Sequence, residues 1–269
     1  MTVTIALAGK GGTGKATVAA MVIRYLLEEQ GRSVLAIDAD PSSNLNMVLG
    51  LELDETVGDI REELLAEIQS TMGVGALAGG LPNGMSKSDY FDYHIRMATV
   101  EGDGVDLIAM GRPEGQGCYC AANSVMRSVM DRISSKYDFV VMDNEAGMEH
   151  LSRRTTRDVD ILLIVSDPTQ RGIVAAQRVA ELVDELAISI EKRYLVVNRF
   201  PGNELPQALG EAVKEVKAEF LGIVPYDATL AEFEFTGRPL IELDGSSPVY
   251  QTVRAMCKRA LARQKEGKE

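Results

Sequence analysis

Apolar residues along this chain fall into short, nearly unbroken runs, separated by longer stretches whose apolar positions recur every three or four residues. The runs are VTIALAG from Val3, SVLAIDAD from Ser33, VDLIAMG from Val105, YDFVVMDN from Tyr137, DILLIVSD from Asp160, KRYLVVNRF from Lys192 and FLGIVPYD from Phe220. Near-continuous Val, Ile and Leu, without strict alternation, is what strands buried on both faces of a parallel sheet require. The stretches between them predict helices over Lys15 to Gln30, Ala121 to Ser135, Gln170 to Leu186, Pro206 to Lys217 and Ser247 to Arg263. The first carries Val18, Met21, Val22, Tyr25 and Leu26 at helical spacing and stops at Gly31, a residue free to adopt a left-handed cap. Strand and helix alternate, so the expected fold is a single doubly wound α/β domain over residues 1–269. Its sheet is mostly parallel and flanked by helices, with ligands at the carboxyl ends of the strands. Residues 70–104 are Gly-rich and lack a long period, and are expected to form a mobile excursion.

The first strand runs directly into GKGGTGKAT, Gly9 to Thr17, and then into a helix. A phosphate needs inward-pointing backbone N–H groups, a glycine path for close approach, a lysine and the positive end of a helix. Gly9, Lys10, Gly11, Gly12, Thr13, Gly14 and Lys15 supply these in strand, loop, helix order, which predicts a nucleotide phosphate loop. The residue after Lys15, ordinarily Ser or Thr, is Ala16. A methyl group cannot coordinate a hard cation, so ATP/ADP binding should survive while Mg2+ affinity and hydrolysis are weakened. Thr17 follows one helical step round. Further acids end strands: Asp38 and Asp40 in DADP, and Asp143 in FVVMD. Carboxylates there can hold magnesium through its waters and orient an attacking water.

Charge and cysteine content narrow the function classes. The chain has 28 basic and 40 acidic residues, a net charge of −12, which argues against nonspecific nucleic-acid binding. Its N-terminus has no basic region ahead of an apolar run and there is no membrane-length apolar stretch, so a cytoplasmic location is expected. Three cysteines do not make a disulfide framework. Cys257 lies on the apolar stripe Val249, Val253, Met256, Cys257, Ala260, Leu261 and reads as core. Cys118 and Cys120, in RPEGQGCYCAANS, are different: two thiolates at this spacing supply half of a tetrahedral site for a soft metal, and a two-fold dimer would supply the whole. His94, near Tyr90 and Tyr93, and His150 are weaker metal or switch candidates.

Lys10, giving the loop KGGTGK a second lysine, makes the sequence resemble the group of ATPases that includes MinD, the nitrogenase iron protein and the arsenical pump ATPase. The resemblance implies an ATP-dependent homodimer in which Lys10 reaches the partner's nucleotide. It implies that Lys10, Lys15 and Asp40 are catalytic, with Asp40 orienting water and Asp38 and Asp143 outer-sphere magnesium groups. It also places Asn198, Arg199, Pro225 and Asp227 beside adenine, Asn198 hydrogen-bonding the base. GCYC together with MDNEAGMEHLSRRTT resembles, more narrowly, the CooC family, ATPases that deliver nickel to carbon monoxide dehydrogenase. That resemblance spans essentially the whole chain. It makes Cys118 and Cys120 the ligands for Ni2+, or Zn2+ in its place, and residues 143–150 the segment linking nucleotide to metal. The maturation ATPase for the acetyl-CoA synthase nickel site has the same layout. Three other readings fit less well. An iron-protein-like reductase would need a cysteine in DNEAGMEHLSRR, which has none, and an iron-sulfur scaffold ATPase a late CxxC. A MinD-like membrane regulator would use the basic tail with Arg254, Lys258, Arg259, Arg263, Lys265 and Lys268, but its apolar stripe lacks Phe and Trp.

Overall fold

The computed structural model describes residues 2–63, 86–111, 130–144, 158–186 and 189–266. Its strands are β1 (Val3–Ala8), β2 (Val34–Ala39), β3 (Val100–Glu101), β4 (Val105–Ala109), β5 (Phe139–Asn144), β6 (Asp158–Ser166), β7 (Ser189–Phe200) and β8 (Glu219–Pro225). They form one eight-stranded sheet in the order β3-β4-β2-β5-β1-β6-β7-β8. Every pairing is parallel except the short β3–β4 hairpin at one edge. The helices are α1 (Lys15–Gln30), α2 (Leu45–Leu49), α3 (Lys87–Met97), α4 (Gln170–Glu185), α5 (Gln207–Glu215), α6 (Ala228–Thr236) and α7 (Pro248–Glu266), with further helical residues at 57–63 and 130–134. The expected doubly wound, mostly parallel fold is observed.

The pleat explains why the strands are apolar throughout. On β1, Ile5 and Leu7 join the core under α1 and α7, whereas Ala6 and Ala8 point the other way, into the core under α3, α4 and α5. The α1 stripe Val18, Met21, Val22, Tyr25 and Leu26 is fully enclosed, and Gly31 ends the helix in the left-handed region at φ 55°, its N–H donating to the Leu27 carbonyl. Cys257 is buried on α7, and burial pushes its thiol up to about 12, as a packing residue should show.

The expectation for residues 70–104 needs correction in its second half. Ser86 caps α3 by accepting the Asp89 N–H, and the helix buries Tyr90, Phe91 and Ile95 against the sheet. Its single short apolar stripe is masked in the sequence by the Gly-rich stretch before it. β3 then forms the antiparallel edge, leaving 70–85 outside the described residues. Two helices, α2 and α6, were not expected: α2 is too short to declare a period, and the apolar residues of α6 do not fall along one face, Leu230 and Phe233 being buried and Phe235 exposed. Of the helix expected over 121–135, residues 130–134 are helical and 121–129 lie outside the described residues.

Candidate nucleotide site

β1 lies between β5 and β6, so the loop that leaves it opens at the middle of the sheet's carboxyl edge. Gly9 turns the chain at φ 148° against β6, where an added Cβ would collide with the Val165 carbonyl oxygen. Gly12 and Gly14 are both left-handed, at φ 80° and 85°, and Gly14 is the N-cap of α1. The Thr13 hydroxyl donates to the Lys10 carbonyl at 2.9 Å, closing the loop on itself. The first N–H groups of α1 have no intrahelical partner, so the loop and helix end together form an anion site. Lys10 is exposed at the rim; Lys15 and Thr17 are buried at the base.

Asp38 and Asp143 occupy matched positions on neighbouring β2 and β5, with Leu7 of β1 opposite Asp143. Asp143 is 4% exposed and its Oδ1 has no hydrogen-bond partner among the described residues. Burial raises its pKa to about 7, the Lys15 charge opposing and the Asp38 and Asp40 charges adding to the rise. Asp38 is raised to about 6, again chiefly by burial, although its two oxygens accept the Asp40 N–H at 3.0 Å and the Leu45 N–H at 2.8 Å. Asp40 itself accepts the Ser42 N–H at 2.9 Å at the start of the next loop.

On the other side of the phosphate loop, the ends of β7 and β8 and the helix α6 enclose a small cleft. Thr17, Asn198, Arg199, Pro225, Asp227 and Glu234 are among its lining residues. The Thr17 hydroxyl donates to Glu234 at 3.1 Å, and Glu234 pairs with Arg199 at 2.9 Å.

With this geometry in place, comparison with known proteins is specific. Residues 4–240 match the family model described as the CobQ/CobB/MinD/ParA nucleotide binding domain. The chain belongs to that family. It is 38% identical over 257 residues to an uncharacterised ATP-binding protein of Methanocaldococcus jannaschii, covering 96% of this chain and 98% of the relative. It is 29% identical over 249 residues to the carbon monoxide dehydrogenase accessory protein CooC of Rhodospirillum rubrum, covering 89% of each. Among solved structures it is similar to the septum site-determining protein MinD of Pyrococcus horikoshii in complex with Mg-ADP, with a TM-score of 0.66 and 20% identity over 97% of this chain and 98% of that one.

Seen as a CobQ/CobB/MinD/ParA domain, the chain brings most of the expected residues to one edge. Gly9 to Thr17, Asp38, Asp40 and Asp143 gather around the phosphate loop, and Asn198, Arg199, Pro225 and Asp227 around the cleft. Two of these have engagements the sequence did not suggest. Asp227 caps α6, accepting the Thr229 and Leu230 N–H groups through Oδ1 and the Ser247 hydroxyl through Oδ2, so its carboxylate is committed to the protein. Asn198 turns its amide to Thr13 and its oxygen to the Arg199 N–H, with both polar atoms bonded to backbone. Cys118, Cys120 and His150 lie outside the described residues. His94 stacks on Tyr90 with ring centroids 4.1 Å apart, and no cluster of three metal-ligating side chains occurs among the described residues.

Two residues escaped sequence reasoning. Asn144 donates to the Leu7 carbonyl at 2.8 Å and so fastens β5 to the strand that launches the phosphate loop. Glu234 carries no motif; only its place in the last turn of α6 brings it to the cleft.

The site fits magnesium in one particular way. Among the described residues, Asp143 Oδ1 without a partner and the neighbouring Asp38 offer buried carboxylate oxygens, but no three carboxylates converge as direct ligands, and Ala16 brings no hydroxyl. That donor set suits an ion that keeps most of its waters and binds through substrate phosphates.

Proposed function

We propose that this protein is an ATP-hydrolysing homodimer of the CooC type, which carries nickel to a carbon monoxide dehydrogenase. The observation that carries the reading is the pair Cys118 and Cys120 in a chain whose phosphate loop has the second lysine Lys10, joined to the 29% identity with the accessory protein CooC. The family alone supports nucleotide binding; the thiol pair is what narrows it to metal transfer.

In this reading the loop N–H groups, Lys15 and the α1 N-terminus bind the ATP phosphates, and exposed Lys10 is free to reach a second subunit. Asp38 and Asp143 would hold magnesium through its waters, where it neutralises phosphate charge. Asp40 orients the attacking water. Cys118 and Cys120 from each subunit supply four thiolates to one Ni2+ on the two-fold axis, a site Zn2+ also suits, and closing or loosening the dimer gates its transfer. The acetyl-CoA synthase nickel site is an alternative client.

The test is an anaerobic nickel and zinc titration read by size-exclusion chromatography, with and without ATP, on the native chain and on Cys118→Ala/Cys120→Ala. One metal per dimer, lost in the variant, is the expected result; one metal per chain without a change of mass would sink the shared site. A MinD-like membrane role is less favoured because the α7 stripe is packed against the sheet and Arg254 and Lys258 pair with Glu29 of α1 at 2.6 and 3.3 Å. Among the described residues no helix is long and apolar enough to cross a membrane. Flotation with anionic liposomes and ATP separates the two readings.

A further inference from the structure

We propose that the groove between α5 and β8 is a contact surface for a second copy of this chain, formed about a two-fold axis and independent of nucleotide. β8 ends the sheet, with β7 on one side and no strand on the other among the described residues. Its pleat sends Leu221 and Val224 into the core under α7, and Phe220 and Ile223 to the opposite face, beside α5. α5 packs chiefly on α4 and covers that face only in part: Phe220 is 40% exposed, next to half-buried Leu205 and Ile223. A large aromatic on an edge strand beside an apolar groove marks an interaction surface and not a scattered surface residue.

Two observations make the partner this same chain. The first is shape. Gly210 lies in the middle of α5 and lines the groove, and an added Cβ there would meet nothing within 4 Å. A mid-helix glycine costs stability relative to alanine, and no contact within the chain requires it. One patch therefore carries a knob, Phe220, and a hollow over Gly210, so two copies related by a two-fold axis fill each other's hollows. The second is charge. α5 is about 14 Å long, with Glu204 ahead of its start and Lys214 in its last turn, both exposed on the groove's rim. Antiparallel α5 helices crossing at Gly210 bring each Lys214 to the partner's Glu204, whereas a parallel arrangement sets like charges together. The strand edge itself does not continue the sheet. The bulge at Leu195 and Val196 leaves Leu221 outside the β7 ladder, and Arg259 of α7 donates to its carbonyl, so an added strand would find the ladder interrupted.

The experiment is analytical ultracentrifugation in EDTA without nucleotide, so that neither metal nor ATP joins the subunits. A small apolar patch of this kind should give a reversible dimer with Kd on the order of 100 µM, followed from about 10 to 500 µM. Gly210→Leu fills the hollow and Phe220→Glu removes the knob, and each should weaken the dimer at least about 10-fold. Gly210→Leu should do so with its urea midpoint level or higher, because its Cβ enters open space and the helix gains propensity. Lys214→Glu should weaken the dimer too, and Lys214→Glu with Glu204→Lys should restore it. A native chain that stays monomeric at the highest concentration overturns the proposal, as does a dimer that survives Gly210→Leu. An unchanged dimer in Lys214→Glu, or a loss the double variant does not recover, overturns the two-fold pairing. Gly210→Leu decides the matter if Phe220→Glu fails to fold. The nickel and nucleotide readings are tested with those ligands present, so their failure is separate from this one.

Discussion

Asp143 and Asp38 face each other across β2 and β5 in a buried setting, which makes the nucleotide-free protein less stable as pH rises. Both folded pKa values lie above the ordinary aspartate value of 3.8, at about 7 and about 6. The neutral carboxyl is therefore the form that folding favours. Its stability contribution is fully present below pH 3.8 and is lost progressively as pH climbs through the folded values. At about 1.4 kcal/mol per pH unit, the titration of Asp143 alone removes about 2 to 3 kcal/mol between pH 5 and 8. Asp92, Asp184 and Asp244 have lowered pKa values, finish titrating below this window and leave it flat. Urea denaturation at half-unit steps from pH 5 to 8, without magnesium or nucleotide, measures the slope. Asp143→Asn, which keeps the shape and removes the charge, should remove about two-thirds of the loss across the window and be the more stable protein at pH 8. Native stability that is level or rises across the window, or an unchanged slope in Asp143→Asn, would refute the reasoning.

Three further outcomes are expected. Ala16→Thr restores a hydroxyl to the first turn of α1 and should raise the magnesium-dependent ATPase rate at least several-fold in a phosphate-release assay; an unchanged or lower rate removes the role assigned to that position. Gly9→Ala places a methyl group against the Val165 carbonyl at φ 148° and should cost about 1 to 3 kcal/mol in chemical denaturation while abolishing measurable ATP binding. Cys257, buried with its thiol raised to about 12, should resist alkylation at pH 8 until urea unfolds the chain, as peptide mass mapping will show.

What could be read from the sequence divides along the distance over which each signal acts. The phosphate loop is local: a glycine spacing between a strand and a helix, and Gly9, Gly12 and Gly14 adopt the dihedrals that spacing requires. Asp38 and Asp143 were legible one at a time as strand ends, but their adjacency depends on β5 inserting between β1 and β2, a register no single segment states. The bond from Asn198 to Thr13 and the pairing of Thr17 with Glu234 join residues 185 and 217 positions apart, beyond any periodicity. Asp227 shows the opposite failure. It sits immediately before α6 and caps it, a role that was not read because that helix itself was not expected. The helix at Lys87–Met97 went unseen because its apolar stripe is short and its neighbours are rich in glycine.

The order of the strands also dictates a schedule for biosynthesis. β1, which carries the phosphate loop, is made first, yet its two neighbours in the sheet begin at Phe139 and Asp158, and the tie to its loop comes from Asn198. A ribosome adding about 5 to 20 residues per second therefore leaves this loop without its flanking strands for many seconds. Such long-range parallel pairing is intrinsically slow and exposes the apolar strands β1 and β2 meanwhile. A nascent chain stalled before residue 139 should engage a chaperone, and one released past residue 200 should be the first able to retain ATP.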